Sequence, residues 1–168
     1  MNDLQPIANP QASPFMLPEL VASAEPEDDR VWVPQSQDNW FRPLLLDRVH
    51  NVTVNVLKTR AKGVVSRHYH TGTVHGYVIR GSWRYLEHDW IARPGSYVFE
   101  PPGETHTLVM DGLAEEMMTL FVVNGALIHV DAEGKPVGFA DVFQKIEMCD
   151  AYYRRIGLGP DFIKQFIR

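Results

Sequence analysis

The chain has 168 residues, 45% of them hydrophobic and 22% charged, which is enough to bury the core of a single domain without cross-links. Its formal net charge of −5 argues against a phosphate-binding surface, so we predict no nucleic-acid partner. One cysteine, no secretory signal pattern and no apolar run of bilayer length predict a cytoplasmic protein without disulfides or membrane contact.

The first predicted element is a proline-rich arm over residues 1–30. Its prolines prevent a regular helix, and they lie at Pro6, Pro10, Pro14, Pro18 and Pro26. The arm also carries four apolar side chains: Phe15, Met16, Leu17 and Leu20. They form no periodic face that could pack on the same domain. We therefore expect them to dock on another copy of the chain, in a homodimer or homotetramer.

The second predicted element is a β-barrel over residues 31–138. Val52, Val54 and Val56 alternate with polar residues, which is the period-two pattern of a half-buried strand. Seven more β-rich runs follow, at Gly63–Arg67, Gly76–Arg80, Ser82–Leu86, Ser96–Phe99, Thr107–Met110, Thr119–Val123 and Ala126–Val130. They are too closely spaced for βαβ crossovers, so we predict an antiparallel sandwich or barrel. Asn124 and Gly125 predict a two-residue hairpin between the last two runs.

The last predicted element is a small helical cap over residues 139–168. Val142, Ile146 and Cys149 have the spacing of one helix face. Pro160 suits the first turn of a second, short helix that runs to Arg168.

The histidines carry the strongest functional signal. Three of the seven lie in HYHTGTVH, residues 68–75, and His106 follows in PPGETH. His68 and His70 would point to the same face of an extended strand, because side chains alternate along it. A third imidazole from a neighbouring strand would complete a metal site with open positions, which is more typical of a catalytic site than of a structural one. The His68 and His70 pair alone is weak evidence for a metal site, since many histidines in proteins are simply hydrogen-bonded.

The residues around these histidines resemble the two motifs of the cupin superfamily. Two runs carry the resemblance, Gly63-x4-His68-x-His70-x4-His75-x5-Gly81 and Gly95-x5-Pro101-x-Gly103-x2-His106. The resemblance covers residues 63–106. It implies an all-β cupin barrel, that is, a jelly roll or double-stranded β-helix. It also implies a set of metal ligands: His68, His70, His75 and His106.

The chain departs from most cupins in two ways. His75 stands where they carry a metal-binding glutamate, and Gly63 is one residue closer than usual to the histidine pair. Three-histidine iron sites occur among the cupin dioxygenases that cleave β-diketones and in the related 2,4'-dihydroxyacetophenone dioxygenases. The chain resembles that group across HTGTVHGYVIRGSWRYLEHDW and FEPPGETHTL. Whether His75 is a fourth ligand or points aside stays open.

This resemblance implies Fe(II) as the cofactor, with Zn, Ni or Mn as alternatives, and O2 plus a hydroxyketone or diketone as substrates. It also makes Glu100 similar to an outer-shell glutamate of those enzymes, which orients a ligand or takes a substrate proton. A glutamate in a surface turn is the alternative. Arg84 would supply a positive group for an anionic substrate or project from the outer face. Tyr77 would face the cavity.

Two functions stay open at this point. The first is a non-haem iron dioxygenase that cleaves the C–C bond next to the carbonyl of a small aromatic hydroxyketone, giving an aromatic carboxylate and formate. The alternative is a zinc-binding cupin that acts as a sensor or ligand-binding module without oxygen chemistry. A metal-dependent sugar isomerase is less favoured, because such an enzyme usually needs the glutamate that His75 replaces.

Overall fold

The computed structural model describes residues 13–23, 25–112 and 114–168, so residues 1–12 of the predicted arm lie outside the described residues. The described strands are β1 (Val33–Ser36), β2 (Asn39–Asp47), β3 (Val52–Thr59), β4 (Val64–His70), β5 (Val74–Arg80), β6 (Trp83–Tyr85), β7 (Tyr97–Glu100), β8 (Thr105–Met110), β9 (Met117–Asn124), β10 (Leu127–Val130) and β11 (Pro136–Ala140). A 3-10 helix, Asp29–Val31, precedes them. The α-helix α1 (Val142–Arg155) and a 3-10 helix, Phe162–Phe166, follow.

The strands form two sheets, and every strand pairing within them is antiparallel. One sheet has the order β1-β2-β3-β9-β5-β7, and the other has the order β11-β10-β4-β8-β6. The predicted all-β fold is therefore confirmed, and the eight predicted runs coincide with β3 to β10. The sequence did not indicate β1, β2 or β11. In β2 a proline interrupts the strand pattern, and the register shifts between Pro43 and Leu45.

The hairpin predicted at Asn124 and Gly125 is wrong. β9 belongs to the six-stranded sheet and β10 to the five-stranded sheet, so the chain crosses between the sheets at this turn. Gly125 adopts a φ of +77°, which accounts for the turn-like sequence. β10 pairs instead with β4, and the register places His129 opposite His68.

The helix α1 packs against the β1–β2 end of the sandwich. Phe41 and Leu46 of β2 share one buried cluster with Cys149 and Tyr153 of α1. The Asp141 side chain caps the helix by accepting hydrogen bonds from two backbone N–H groups of its first turn. The helical cap was predicted over residues 139–168, but it begins at Val142 because β11 extends to Ala140. None of the described helices is long and apolar enough to cross a lipid bilayer.

The described part of the arm leaves its apolar side chains uncovered. Phe15, Met16, Leu17 and Leu20 are all exposed to solvent. The arm is attached near its end, where the Ser23 carbonyl oxygen accepts a hydrogen bond from Arg42. The homo-oligomer expected from these side chains stays a prediction.

Gly81, between β5 and β6, is a motif glycine that tolerates no side chain. Its φ is +68°, and a Cβ would overlap the Glu116 carbonyl oxygen and lie 2.9 Å from Met117 Cα. We expect Gly81→Ala to lower the free energy of unfolding by about 3 kcal/mol or more, measured by urea denaturation. The control is Gly95→Ala, at φ +88° with open space around it, which should cost about 1–2 kcal/mol. Equal losses would contradict the packing argument.

Candidate metal centre

Three buried imidazoles meet on the inner face of the five-stranded sheet. His68 and His70 share that face of β4, and the β4–β8 register places His106 directly opposite His68. His68 Nε2 lies 3.1 Å from His70 Nε2. Two donors at right angles, each about 2.1 Å from one ion, would be about 3.0 Å apart, so this spacing suits a shared ion. Ser66 Oγ lies 3.0 Å from His68 Nδ1 and orients that ring.

Glu100 reaches the same place from the six-stranded sheet. Its side chain is 2% exposed, and its Oε1 accepts a hydrogen bond of 2.7 Å from Tyr85 Oη. Its Oε2 lies 3.4 Å from His70 Nε2 and 3.8 Å from His106 Nε2. The structure therefore places Glu100 against the histidines and not on a surface turn.

Unpartnered polar atoms concentrate at this cluster. Among the described residues, six buried side-chain nitrogen or oxygen atoms have no hydrogen-bond partner. Four of them lie here: Nδ1 of His70, Oε2 of Glu100 and both ring nitrogens of His106. Each such atom costs roughly 1–3 kcal/mol when left unpaired. One ion takes only one nitrogen of each ring, so an ion here would partner Glu100 Oε2 and one nitrogen of His106 among these atoms. Imidazole nitrogens with one carboxylate oxygen suit Fe(II), Zn, Ni or Mn, and the residues thus fit a divalent metal ion.

Burial sets the protonation of these groups. It lowers the pKa of His68 well below its usual value, and the neighbouring imidazoles lower it further. Burial also lowers the pKa of His70 to about 4 and lowers that of His106. Burial raises the pKa of Glu100 to about 7, although the hydrogen bond from Tyr85 opposes this. At pH 7 the imidazoles are therefore neutral and have no proton to lose before binding a cation.

Three residues predicted for the site lie elsewhere, which corrects those predictions. His75 and Tyr77 point to the outer face of β5, where Tyr77 is 49% exposed. His75 Nδ1 lies 2.7 Å from Tyr97 Oη on the neighbouring strand. Arg84 points to the face of β6 opposite that of Tyr85, which lines the cavity. Strand alternation turns all three side chains away from the histidine cluster, so His75 is not a fourth ligand there.

A second group of metal-ligating side chains shares His106. One donor atom each from His88, Glu104 and His106 lie within 4.8 Å of one another. His88 Nε2 already pairs with Glu104 Oε1 at 3.1 Å, and these side chains are 31% and 43% exposed. Among the described residues this is the one group with that spacing, and no three donors from His68, His70, His106 and Glu100 meet it. Because His88 and Glu104 satisfy each other and are hydrated, whereas the other four side chains are buried, we take His68, His70, His106 and Glu100 as the candidate metal centre.

A cavity of about 340 Å³ lies between the sheets and reaches this centre. His68, His70, Tyr85 and Glu100 line one part of it. Its apolar wall includes Leu57, Val65, Val74, Leu108, Phe121 and Val123. Sequence reasoning missed several polar residues of the wall, among them His129 and Lys145. His129 sits at a strand end in the sequence, and only the strand register reveals that it lies beside His68.

Two antiparallel sheets that enclose an HxH pair and a third histidine on the neighbouring strand define the class of the cupins. A family model described as the ChrR cupin-like domain matches residues 24–128, and the chain belongs to that family. The predicted cupin barrel is thereby confirmed.

Solved structures with the same fold include proteins with and without a known activity. An RmlC-like cupin protein from Ralstonia eutropha JMP134 is 31% identical, with a TM-score of 0.74 over 79% of this chain and 87% of that chain. A protein of unknown function from the same organism is 25% identical, with a TM-score of 0.67 over 71% and 75%. An acetylacetone dioxygenase from Acinetobacter johnsonii is 16% identical, with a TM-score of 0.66 over 82% and 98%, and shares the fold. No protein with a curated description matches the chain.

Proposed function

We propose that the protein is a non-haem iron(II) dioxygenase that cleaves the C–C bond next to the carbonyl of a small aromatic hydroxyketone. The observation that carries the proposal is the cluster of three neutral imidazoles and a buried carboxylate at a cavity of about 340 Å³. A substrate such as 2,4'-dihydroxyacetophenone would give an aromatic carboxylate and formate, with both atoms of O2 entering the products. The motif resemblance to the diketone- and hydroxyketone-cleaving cupins supports this choice.

The chain supplies the metal ligands and a base. His68, His70 and His106 would hold the ion, and bound Fe(II) would supply a Lewis acid for the substrate oxygens and electrons for O2. Tyr85 fixes one oxygen of Glu100, which leaves Oε2 free to accept a proton from the substrate hydroxyl or its neighbouring carbon. The positive charge of a bound ion would favour the carboxylate form of Glu100, which is the form that accepts a proton.

The cavity has the size and lining for one small ring. Its volume of about 340 Å³ lies near the lower end of the range of small-molecule sites, roughly 300–1,000 Å³. Phe121, Leu108 and Val74 give it an apolar wall beside the metal ligands. This wall keeps bulk water from the reacting atoms and favours an aromatic substrate over a sugar.

The test is oxygen uptake by iron(II)-loaded protein with 2,4'-dihydroxyacetophenone. We expect one O2 consumed for each aromatic carboxylate and each formate released. Zinc-loaded protein is the control and should consume no oxygen, because zinc has no redox chemistry. Equal activity with zinc, or no uptake with any of a panel of hydroxyketones and diketones, would contradict the proposal.

A zinc-binding sensor or ligand-binding module is the second candidate. The match to the ChrR cupin-like domain favours it. The same histidines would hold zinc, and the cavity would bind its ligand without turnover. Stoichiometric zinc in the protein as isolated, together with an inactive iron-loaded form, would support this candidate over the dioxygenase.

A further inference from the structure

Lys145 brings a cation to the wall of the cavity. It lies near the start of α1, the helix that packs on the β1–β2 end of the sandwich, and lines the cavity together with Gln144 and Met148 of the same helix. Its Nζ lies 3.9 Å from the centre of the Phe41 ring, which is fully buried. The ammonium group is therefore held by packing and does not extend freely into solvent.

No carboxylate neutralises this cation within the described residues, since none of their ion pairs includes Lys145. Its Nζ donates a hydrogen bond of 2.5 Å to Gln35 Oε1, which is a neutral acceptor. Burial lowers the pKa of Lys145 to about 8, and burial also keeps the nearby Cys149 a neutral thiol by raising its pKa to about 12. An ammonium that is partly withdrawn from water and has no counter-charge gains from an anionic ligand.

His129 connects Lys145 to the metal centre. It lies on β10, where it faces the cavity and is paired in register with His68 of β4. Its ring carries at least one N–H donor whether it is neutral or protonated. The cavity wall thus runs from the metal ligands past a hydrogen-bond donor to a cation.

We infer that Lys145, with His129 and Gln35, binds a carboxylate at the end of the substrate that is remote from the metal centre. The ammonium would pair with the carboxylate, and the imidazole N–H and the Gln35 amide N–H groups would complete its hydrogen bonds. The inference rests on the proposed function for the other end of the substrate. It names the substrate class as aromatic hydroxyketones that carry a remote carboxylate.

The test compares two ligands that differ in that carboxylate alone: 2-hydroxyacetophenone and 4-(2-hydroxyacetyl)benzoate. Isothermal titration calorimetry on zinc-loaded protein measures binding without turnover. The natural sequence should bind the carboxylate compound about tenfold to a hundredfold more tightly than the neutral one. Lys145→Met, which keeps an unbranched side chain of similar length, should remove this preference. Lys135→Met, at an exposed lysine in the β10–β11 turn, is the matched control and should keep the preference.

Equal affinities of the natural sequence for the two ligands would overturn the inference, and this comparison decides even where Lys145→Met does not fold. An unchanged preference in folded Lys145→Met would also overturn it. The oxygen assay separates the two proposals. A preference that depends on Lys145, without oxygen uptake, keeps the carboxylate site and removes the dioxygenase. Oxygen uptake without any such preference would keep the dioxygenase and remove the carboxylate site.

Discussion

His70→Ala and His106→Ala should each lose stoichiometric metal binding, with the metal affinity falling by more than about 100-fold. Each change removes one of three imidazole donors, and loss of a mere outer partner of a ligand already costs about 10–100-fold. Both imidazoles are buried, and His106 stacks on Tyr85 of one apolar cluster, but each replacement removes a single polar ring that is short of hydrogen bonds, so the fold should persist in both variants. Metal content after dialysis against buffered zinc or iron(II), with circular dichroism on the same samples, measures both effects.

His75→Ala and His88→Ala are the matched controls, since each removes one imidazole outside the assigned centre. His75 points to the outer face of β5, and His88 pairs with Glu104. Both variants should keep full metal occupancy. Loss of metal in His88→Ala together with full occupancy in His70→Ala would move the ion to the group around His88, Glu104 and His106.

Glu100→Gln should lower turnover of the hydroxyketone by about 10²–10⁴-fold, the usual cost of removing a general base. The amide can still accept the hydrogen bond from Tyr85, so the local geometry is kept, but it takes no proton. Metal content should change much less than turnover, because the three imidazoles remain. Oxygen uptake at saturating substrate and metal analysis of the same preparation give the two quantities.

Glu104→Gln provides the comparison for that experiment. Glu104 lies four residues further along the chain, with a side chain that is 43% exposed. Its replacement should leave both turnover and metal content close to those of the natural sequence. Equal activity losses in the two variants would show that the effect is a general one of charge. A parallel loss of metal and activity in Glu100→Gln would show that Glu100 acts as a ligand and not as a base.

The parts of the site that depend on one strand alone could be predicted from the sequence. His68 and His70 share a face because side chains alternate along β4, whatever that strand pairs with. His75 and Tyr77 could not be placed in this way, because the turn between β4 and β5 interrupts the alternation. The inner face of β5 is set by its buried residues Val74 and Gly76, which leaves His75 on the outer face.

The parts that depend on pairing between strands needed the structure. Glu100 is buried because β7 pairs with β5 in a register that sets it beside Val74, and no local pattern fixes that register. His129 reaches the cavity because the chain crosses between the sheets just before β10, where the Asn-Gly pair indicates a simple hairpin. Lys145 reaches it because α1 packs on that particular end of the sandwich, which follows from the cluster around Phe41 and Cys149.

The residues of the candidate metal centre come from both layers of the sandwich. His68, His70 and His106 belong to the five-stranded sheet, whereas Glu100 belongs to the six-stranded sheet and is joined to the opposite layer by Tyr85. An ion held by the imidazoles would attract the Glu100 carboxylate and so draw the two layers together. Through thermodynamic linkage, each tenfold rise of free metal above its dissociation constant would add about 1.4 kcal/mol to the resistance to unfolding. The melting temperature of the protein would then report how much metal is available to it.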